Sequence, residues 1–242
     1  VSAILFLFTK LRTQIVIAIV LLLGFWAAME FISVDGYGGG DYTPQRNLAE
    51  WIDNAVLGRF RDGAKVVDGV VAFKPTYHYT WILSSLTFVV TGLLGMFAGV
   101  IAKSQMDEKH KLWWFAGVGT SLIVAGLLWS IWHPIIKPIW TSSMTLFSGG
   151  ICFLLLWLCY YLIDYKGYRW GLTLFKVYGT NSIAAYMMPH FIKMNAISTA
   201  LLFGLEQYIG EDWYKMVIAL ANVVLSYLLL YYMYRRKIFL KV

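Results

Sequence analysis

Long apolar runs alternate with short polar segments along most of this chain. Six of these runs approach the roughly 20 residues that a helix needs to cross a bilayer, and few charged side chains interrupt them. The pattern predicts an all-α fold, a polytopic membrane helix bundle of about six transmembrane helices. The predicted spans are Ile15–Ser33, Thr80–Ala102, Leu112–Trp132, Met144–Ile163, Leu174–Ile192 and Met216–Tyr234.

The first eight residues, VSAILFLF (Val1–Phe8), form a further apolar run that is too short to cross a bilayer. We interpret this run as a helix stump, the end of a helix that begins upstream. Residues 1–242 are therefore expected to be the C-terminal part of a single transmembrane domain. The missing N-terminal transmembrane segments of the same protein would be its partners.

Lysine and arginine residues collect on one side of the predicted bundle. That side carries 12 of them, against three in the two short loops of the other side. Because cytoplasmic loops are enriched in Lys and Arg, we predict that both chain ends are cytoplasmic. The absence of an Asn-x-Ser/Thr acceptor favours a bacterial or a cytoplasm-facing setting, and we expect a bacterial inner membrane. The 12 residues are Lys10, Arg12, Lys103, Lys109, Lys111, Lys166, Arg169, Lys176, Arg235, Arg236, Lys237 and Lys241.

Residues 34–79 form a long exterior loop in this topology. Within it, Thr43 is a suitable helix N-cap, Pro44 suits the first helical position, and Gly58 suits the residue after the helix. The pattern predicts a short amphipathic helix that lies on the outer surface. Its predicted apolar face consists of Leu48, Trp51, Ile52, Ala55 and Val56.

The composition excludes an ordinary soluble domain. Hydrophobic residues make up 60% of the chain and charged residues only 14%, which is too few to cover a soluble surface with charge. The net charge of +7 raises the question of nucleic-acid binding, but the basic residues lie scattered at the ends of the apolar runs. We therefore expect a lipid bilayer, and no nucleic acid, as a partner.

Three of the four histidines, His78, His133 and His190, fall at the exterior ends of predicted spans. Histidine is a common proton carrier in enzymes because its pKa is near neutral, and three at one depth indicate a polar vestibule. Histidine also tolerates membrane interfaces without any chemical role. Both interpretations stay open.

The exterior loop HPIIKPIWTSS (His133–Ser143) contains two prolines that restrict its backbone. Thr141 and Ser142 are candidates to cap the helix that follows, and Lys137 adds positive charge beside its N-terminus. Such a loop suits an anion or a sugar hydroxyl, with Trp140 as an interfacial anchor. Capping and anchoring also explain these residues without a ligand.

The stretch YGTNSIAAYMMPHFI carries several polar side chains inside the fifth predicted span. On one helix they would form a stripe, and a stripe facing hydrocarbon would be costly. We therefore expect it to face protein or a water-filled cavity, through interhelical hydrogen bonds or as the lining of a substrate path. The polar residues are Tyr178, Asn181, Ser182, Tyr186 and His190.

Several motifs resemble the heparan-α-glucosaminide N-acetyltransferase family, most closely its bacterial relatives. They occur in the family's order and with similar spacing between about Asn47 and Val242. The motifs are RNLAEWIDNAVLG, PIIKPIWTSSM, YLID followed by KG, YGTNSIAAY and the terminal YRRKIFLKV.

The resemblance implies an integral-membrane acyltransferase that moves an acetyl group from acetyl-CoA to an amino sugar of the glucosamine type. The family's catalytic histidine belongs to an upstream segment, so none of the histidines here corresponds to it. His190, Tyr186 and Asn181 are candidates to assist catalysis. Candidates for substrate binding are Lys137, Trp140, Thr141, Ser142, Asn181, Ser182, His78 and His133.

The segment KPTYHYTW (Lys74–Trp81) departs from the family, which has an acidic Asp-Pro-Glu-Gly turn at this point. The departure affects recognition of the acceptor sugar. Acetyl-CoA is expected as co-substrate and no metal is expected, while formation of a homo-oligomer stays open. Two alternatives remain: a transporter or permease for amino sugars or related solutes, and a purely structural membrane subunit.

Overall fold

The computed structural model describes residues 1–61, 64–67, 70–72, 76, 78–169 and 171–240. This part of the chain is mostly helical, which confirms the predicted all-α membrane helix bundle. The residues group into two compact units, Val1–Gly167 and Tyr168–Val242, here termed the first and the second unit.

The first unit consists of long helices joined by short hairpins and turns. Its α-helices are α1 (Ser2–Phe8), α2 (Leu11–Phe31), α3 (Leu48–Leu57), α4 (Ser85–Lys103), α5 (Glu108–Trp129) and α6 (Ser142–Tyr160), the last continued by a π-helical turn at Tyr161–Tyr165. Strands β1 (Ser33–Val34) and β2 (Tyr37–Gly38) pair antiparallel, as do β3 (Lys65–Val67) and β4 (Val70–Ala72).

The second unit is built on one long helix. Helices α7 (Leu172–Thr180), α8 (Ser182–Phe191), α9 (Met194–Leu201) and α10 (Glu206–Ile209) precede α11 (Glu211–Arg235). The sequence predicts a single helix over Leu174–Ile192, and this prediction is wrong. The backbone leaves the helical region at Asn181, with φ −129° and ψ 40°, and breaks again between α8 and α9.

Within the described ranges, five helices are long and apolar enough to cross a membrane. They coincide with the other five predicted spans, so the chain is an integral membrane protein in contact with a lipid bilayer. Their exposed side chains include Leu127, Leu128 and Leu155, as a lipid-facing surface requires. The spanning helices are Leu11–Phe31, Ser85–Lys103, Glu108–Trp129, Ser142–Tyr165 and Glu211–Arg235.

A tight hairpin turns the chain back after α2. Asp35 and Gly36, between β1 and β2, both have positive φ, 51° and 81°, the combination of a type I′ hairpin turn. Gly40 follows at φ 82°, and a Cβ there would lie 3.3 Å from Oε1 of Glu30. These residues bring the chain back over the end of α2.

Helix α3 begins at Leu48, four residues later than the start at Pro44 that the sequence pattern predicts. Its N-cap is Asn47, whose Oδ1 accepts a hydrogen bond from the Glu50 backbone N–H at 2.8 Å, and not Thr43. The predicted end is confirmed, because Gly58 follows the helix with φ 51°.

The buried face of α3 matches the predicted apolar face only in part. Leu48 is buried with Ala49 in the core cluster of Phe25 and Ile139, and Ile52 packs against that cluster, but Ala55 and Val56 are exposed, Val56 to 68%. The helix instead turns two acidic residues, Glu50 and Asp53, into the protein. Helix α3 therefore covers the end of the bundle where α2 ends and α6 begins, here termed the α3 end.

Candidate functional site

His133 lies fully buried at the α3 end, between the end of α5 and the start of α6. Its Nε2 accepts a hydrogen bond from the backbone N–H of Ser142 at 3.0 Å. Its Nδ1 lies 2.8 Å from the Tyr42 hydroxyl, which donates to Oε2 of Glu30 at 3.1 Å. A continuous chain of hydrogen bonds thus joins α2, the loop before α3 and the N-terminus of α6.

These contacts determine the protonation state of His133. A ring nitrogen that accepts from a backbone N–H carries no proton, so the proton is on Nδ1 and is donated to Tyr42. Burial lowers the pKa of His133 from 6.5 to about 4. Burial, and then the charge of Glu30 and the hydrogen bond to it, raise the pKa of the Tyr42 hydroxyl. His133 is therefore a neutral imidazole at neutral pH.

Thr141 and Ser142 are both fully buried, so the structure does not place them on a free surface for substrate. Thr141 is the N-cap of α6: its Oγ1 accepts from the N–H of Met144 at 3.4 Å and donates to the Pro134 carbonyl at 2.9 Å. The Ser142 hydroxyl donates to the Leu22 carbonyl of α2 at 2.8 Å. Both side chains fasten the loop to its neighbours.

Trp140 and Lys137 differ in exposure within the same loop. Trp140 has a positive φ of 55°, and its ring N–H donates to the Thr91 hydroxyl of α4 at 3.1 Å, so it packs inside the unit. Lys137 is exposed. Among the loop residues predicted to bind substrate, Lys137 is the one whose charged side chain is exposed.

Asp53 holds the start of the α4 segment. The side chain is fully buried, and its two oxygens accept from consecutive backbone N–H groups, those of Trp81 at 2.8 Å and Ile82 at 3.1 Å. The Asp53 carboxylate thus gives both backbone N–H groups a hydrogen-bond acceptor, and this arrangement fixes the position of α3 relative to the start of the α4 segment.

A second buried acid, Glu50, forms a cluster with Arg61 and His78. Arg61 donates to Glu50 through one guanidinium nitrogen and to the Asn54 amide oxygen, at 2.6 Å, through another. Nδ1 of His78 lies 3.6 Å from Oε1 of Glu50. The carboxylate thus has a cation and an imidazole beside it, which satisfies a buried charge.

Asn181, in the second unit, binds the backbone of the C-terminal segment. Its side-chain N–H donates to the Ile238 carbonyl at 3.0 Å, and its oxygen accepts from the Leu240 N–H at 3.1 Å. The residue is fully buried. The predicted inward orientation is confirmed for Asn181, whose partner is the protein backbone.

The other members of the predicted stripe do not share this environment. Tyr186 is 77% exposed, and Ser182 and His190 are exposed as well. The break at Asn181 changes the helical phase between Tyr178 and the residues of α8. The rings of Tyr186 and His190 lie near each other, with centroids 5.9 Å apart. The prediction of one continuous polar stripe on a single helix is therefore wrong.

Sequence reasoning missed Tyr42, Glu30, Glu50, Asp53 and Arg61. A signal was present for two of them, since Glu50 and Asp53 lie three apart on one helical face. Acidic residues of a surface helix are usually solvated, so this spacing alone does not indicate burial. Their partners lie in other elements, which periodicity does not reveal.

Some predictions fall on residues outside the described ranges. The residues concerned are Lys74, Pro75 and Tyr77 of the KPTYHYTW segment, and Lys241 and Val242 of the terminal motif. Among the described residues, no three His, Cys, Asp or Glu side chains come together as ligands for a metal ion.

No protein-family model matches this chain, and no curated protein sequence is similar to it.

Proposed function

We propose that this protein is an integral-membrane acyltransferase that moves an acetyl group from acetyl-CoA to an amino sugar of the glucosamine type. The observation that carries the proposal is the packing of two motif segments at the α3 end. Asn47–Gly58 and Pro134–Met144 meet through Leu48 and Ile139, and both segments resemble the acetyltransferase family. Motifs far apart in sequence thus contribute to one structure.

The proposed reaction is attack of the sugar amine on the thioester carbonyl carbon. A C–N bond forms, the C–S bond breaks, a base takes the proton from nitrogen, and coenzyme A leaves as a thiolate that is then protonated. The reaction needs that base and donors for the developing oxyanion.

His133 is a positioning residue in this proposal. Its Nε2 is occupied by the Ser142 N–H and its Nδ1 proton by Tyr42, so neither nitrogen can take a proton from a substrate without breaking the network. His78 has the carboxylate of Glu50 beside it, an arrangement that orients an imidazole. The catalytic base is assigned to neither, because the family resemblance implies an upstream histidine.

Lys137 is the side chain that we propose for substrate contact. It is exposed, and it lies in a loop whose backbone is fastened by Thr141 and Ser142. An ammonium group suits a sugar hydroxyl or an anionic group of the donor. The fastened backbone would keep the attachment point of this flexible side chain constant between binding events.

The test uses purified full-length protein, radiolabelled acetyl-CoA and a panel of amino sugars. We expect a labelled N-acetyl sugar, and a higher KM for one of the two substrates in Lys137→Ala. The matched control is Lys109→Ala, an exposed lysine in the first turn of α5, which should leave KM unchanged. Folded protein that forms no labelled product with any amino sugar would refute the proposal.

A second candidate function, transport of amino sugars or related solutes, is favoured by the broken path of α7, α8 and α9. Helices interrupted within a membrane protein often carry the solute site of a transporter. The chain is interrupted here at Asn181 and again at Ile192–Lys193. Uptake of labelled glucosamine into proteoliposomes without acetyl-CoA, and without acetylation of the sugar, would support this candidate over the transferase.

We also propose a bacterial inner-membrane location with both chain ends in the cytoplasm, on the basis of the Lys and Arg distribution, with α7 and α8 together making a sixth crossing. A fluorescent protein fused after Val242 should fluoresce, because its chromophore forms in the cytoplasm. An alkaline phosphatase fused at the same point should stay inactive. An active phosphatase there would reverse the proposed orientation.

A further inference from the structure

The second unit contains a groove that the proposed acyltransferase site does not use. It lies between the α8–α9 break and the middle of α11, and its volume is about 670 Å³. Small-molecule sites in proteins usually measure about 300–1,000 Å³. We term it the central groove. The residues that line it include Tyr178, Pro189, Lys193, Asn195, Asn222 and Ser226.

Several polar groups line this groove beside the middle of α11. Asn222 is about 17 Å from the first residue of that 25-residue helix, given the rise of 1.5 Å per residue. It accepts a hydrogen bond from the buried Ser198 hydroxyl at 2.7 Å and donates to the Asn195 amide oxygen at 3.4 Å. Ser226, one turn further along, also lines the groove.

Amide groups in the middle of a membrane span need hydrogen-bond partners, because their transfer into hydrocarbon without partners costs free energy. The bonds with Ser198 and Asn195 use one N–H and one lone pair of the Asn222 amide. Among the described residues, these bonds leave the second N–H of Asn222 and the amide N–H groups of Asn195 for a further partner. Asn195 is exposed on the groove side.

The groove's chemistry limits what that partner is. The two amides offer N–H donors, and the Ser226 oxygen, whose proton is donated to the Asn222 carbonyl at 2.8 Å, offers an acceptor; together they match neighbouring hydroxyls of a sugar ring. Tyr178 and Pro189 supply apolar surface for its C–H face. Lys193 brings a positive charge, which repels a protonated amine but not a neutral molecule.

We infer that the central groove binds a neutral, polyhydroxylated small molecule of the sugar type. Binding here is independent of acetyl transfer. Where the proposed acyltransferase function holds, the uncharged N-acetyl sugar suits this groove better than the protonated amino sugar. The groove would then be a product-binding site.

The first experiment measures binding without acetyl-CoA, so that its result is separate from any transferase activity. Full-length protein in nanodiscs is titrated with N-acetylglucosamine, glucose and other neutral mono- and disaccharides, and with glucosamine as the charged comparison. We expect saturable binding of at least one neutral sugar, and weaker binding of glucosamine. Lys193→Met should reduce that difference.

Asn222→Leu tests the role of the amide. It should weaken binding about tenfold, since the hydrogen bond between the amide and the ligand is lost. Val224→Leu is the matched control, because Val224 lies on the same helix, is 54% exposed and does not line the groove. No binding of any neutral sugar, or unchanged binding by Asn222→Leu, would overturn the inference.

A second experiment asks whether water fills the groove. Cys152 and Cys159 are replaced by Ala, and Asn195→Cys is exposed in membranes to a charged thiosulfonate reagent. That reagent attacks thiolates, which form in water and not in hydrocarbon. We expect rapid labelling that the bound sugar slows, and no labelling of Val224→Cys. If Asn195→Cys does not fold, Ser226→Cys takes its place; an unreactive groove cysteine means that lipid or a helix fills the groove, and overturns the inference.

Discussion

The side-chain amide of Asn181 binds the backbone of Leu240 almost 60 residues later. Its oxygen accepts the Leu240 N–H at 3.1 Å, while its nitrogen donates to the Ile238 carbonyl at 3.0 Å. The two bonds reach alternate residues of an extended segment, as a neighbouring strand would. The same residue interrupts the helix between α7 and α8, so the break and the docking of the C-terminal segment have one structural origin.

Replacing Asn181 with Ala should release that segment. Two partly buried hydrogen bonds are lost and two backbone groups lose their partner, which costs about 1 kcal/mol of local stability. We expect faster hydrogen exchange at residues 238–240, measured by mass spectrometry. Thr180→Ala is the control, because the Thr180 hydroxyl bonds to Lys176 within its own helix. Equal exchange in both variants would show that Asn181 does not hold the segment.

The buried His133 should make folding stability depend on pH. Its pKa falls from 6.5 to about 4 on folding, so the unfolded chain binds a proton that the folded protein does not. Its contribution is complete above about pH 6.5 and is lost progressively as the pH falls towards 4. Between pH 7 and 4.5 the loss is about 2–3 kcal/mol.

Thermal unfolding in mild detergent across this pH range measures the effect. His133→Gln should remove most of this pH dependence while lowering stability at pH 7. His110→Gln is the matched control, since the His110 side chain is 75% exposed and should leave the pH profile unchanged. A His133→Gln profile parallel to that of the wild type would contradict the assigned neutral imidazole.

Asp53→Asn tests the contact between α3 and the start of the α4 segment. An amide keeps one acceptor but turns N–H groups towards the Trp81 and Ile82 N–H groups, so one of these donors loses its partner. We expect a loss of about 1–3 kcal/mol in the free energy of unfolding. Asp35→Asn, at an exposed turn position, should change it by less than about 0.5 kcal/mol.

Glu50 and Arg61 should behave as one unit. Arg61→Met alone leaves a buried carboxylate without its cation and should cost about 3–5 kcal/mol. The double variant Glu50→Leu with Arg61→Met should be less destabilised than that single variant, because no unpaired charge is left in the protein. A double-mutant cycle of unfolding free energies measures the coupling, and additive effects would contradict it. The exposed pair of Glu211 and Lys215 is the reference, with a coupling below about 1 kcal/mol.

Features that depend on local chemistry were predictable. Five spans follow from uninterrupted apolar length, because a helix in hydrocarbon must satisfy its backbone internally. The end of α3 at Gly58 follows from the freedom of glycine at positive φ. The capping role of Thr141 likewise depends only on the residues that follow it.

Features that depend on distant partners were not predictable. Glu50 and Asp53 face inward because Arg61, His78 and the Trp81 and Ile82 N–H groups are there to meet them, and none of these partners affects the periodicity of α3. The same holds for the histidines: His133 and His78 are buried with different partners, whereas His190 is exposed in the second unit.

The apolar sequence by itself determined that this protein lies in a membrane and where most of its helices cross. Tertiary structure decided which polar groups are buried, and where the fifth predicted span breaks. The physical reason is that transfer to hydrocarbon depends on each segment's own composition. A buried polar group, by contrast, is stable only where another part of the chain supplies its hydrogen-bond partner.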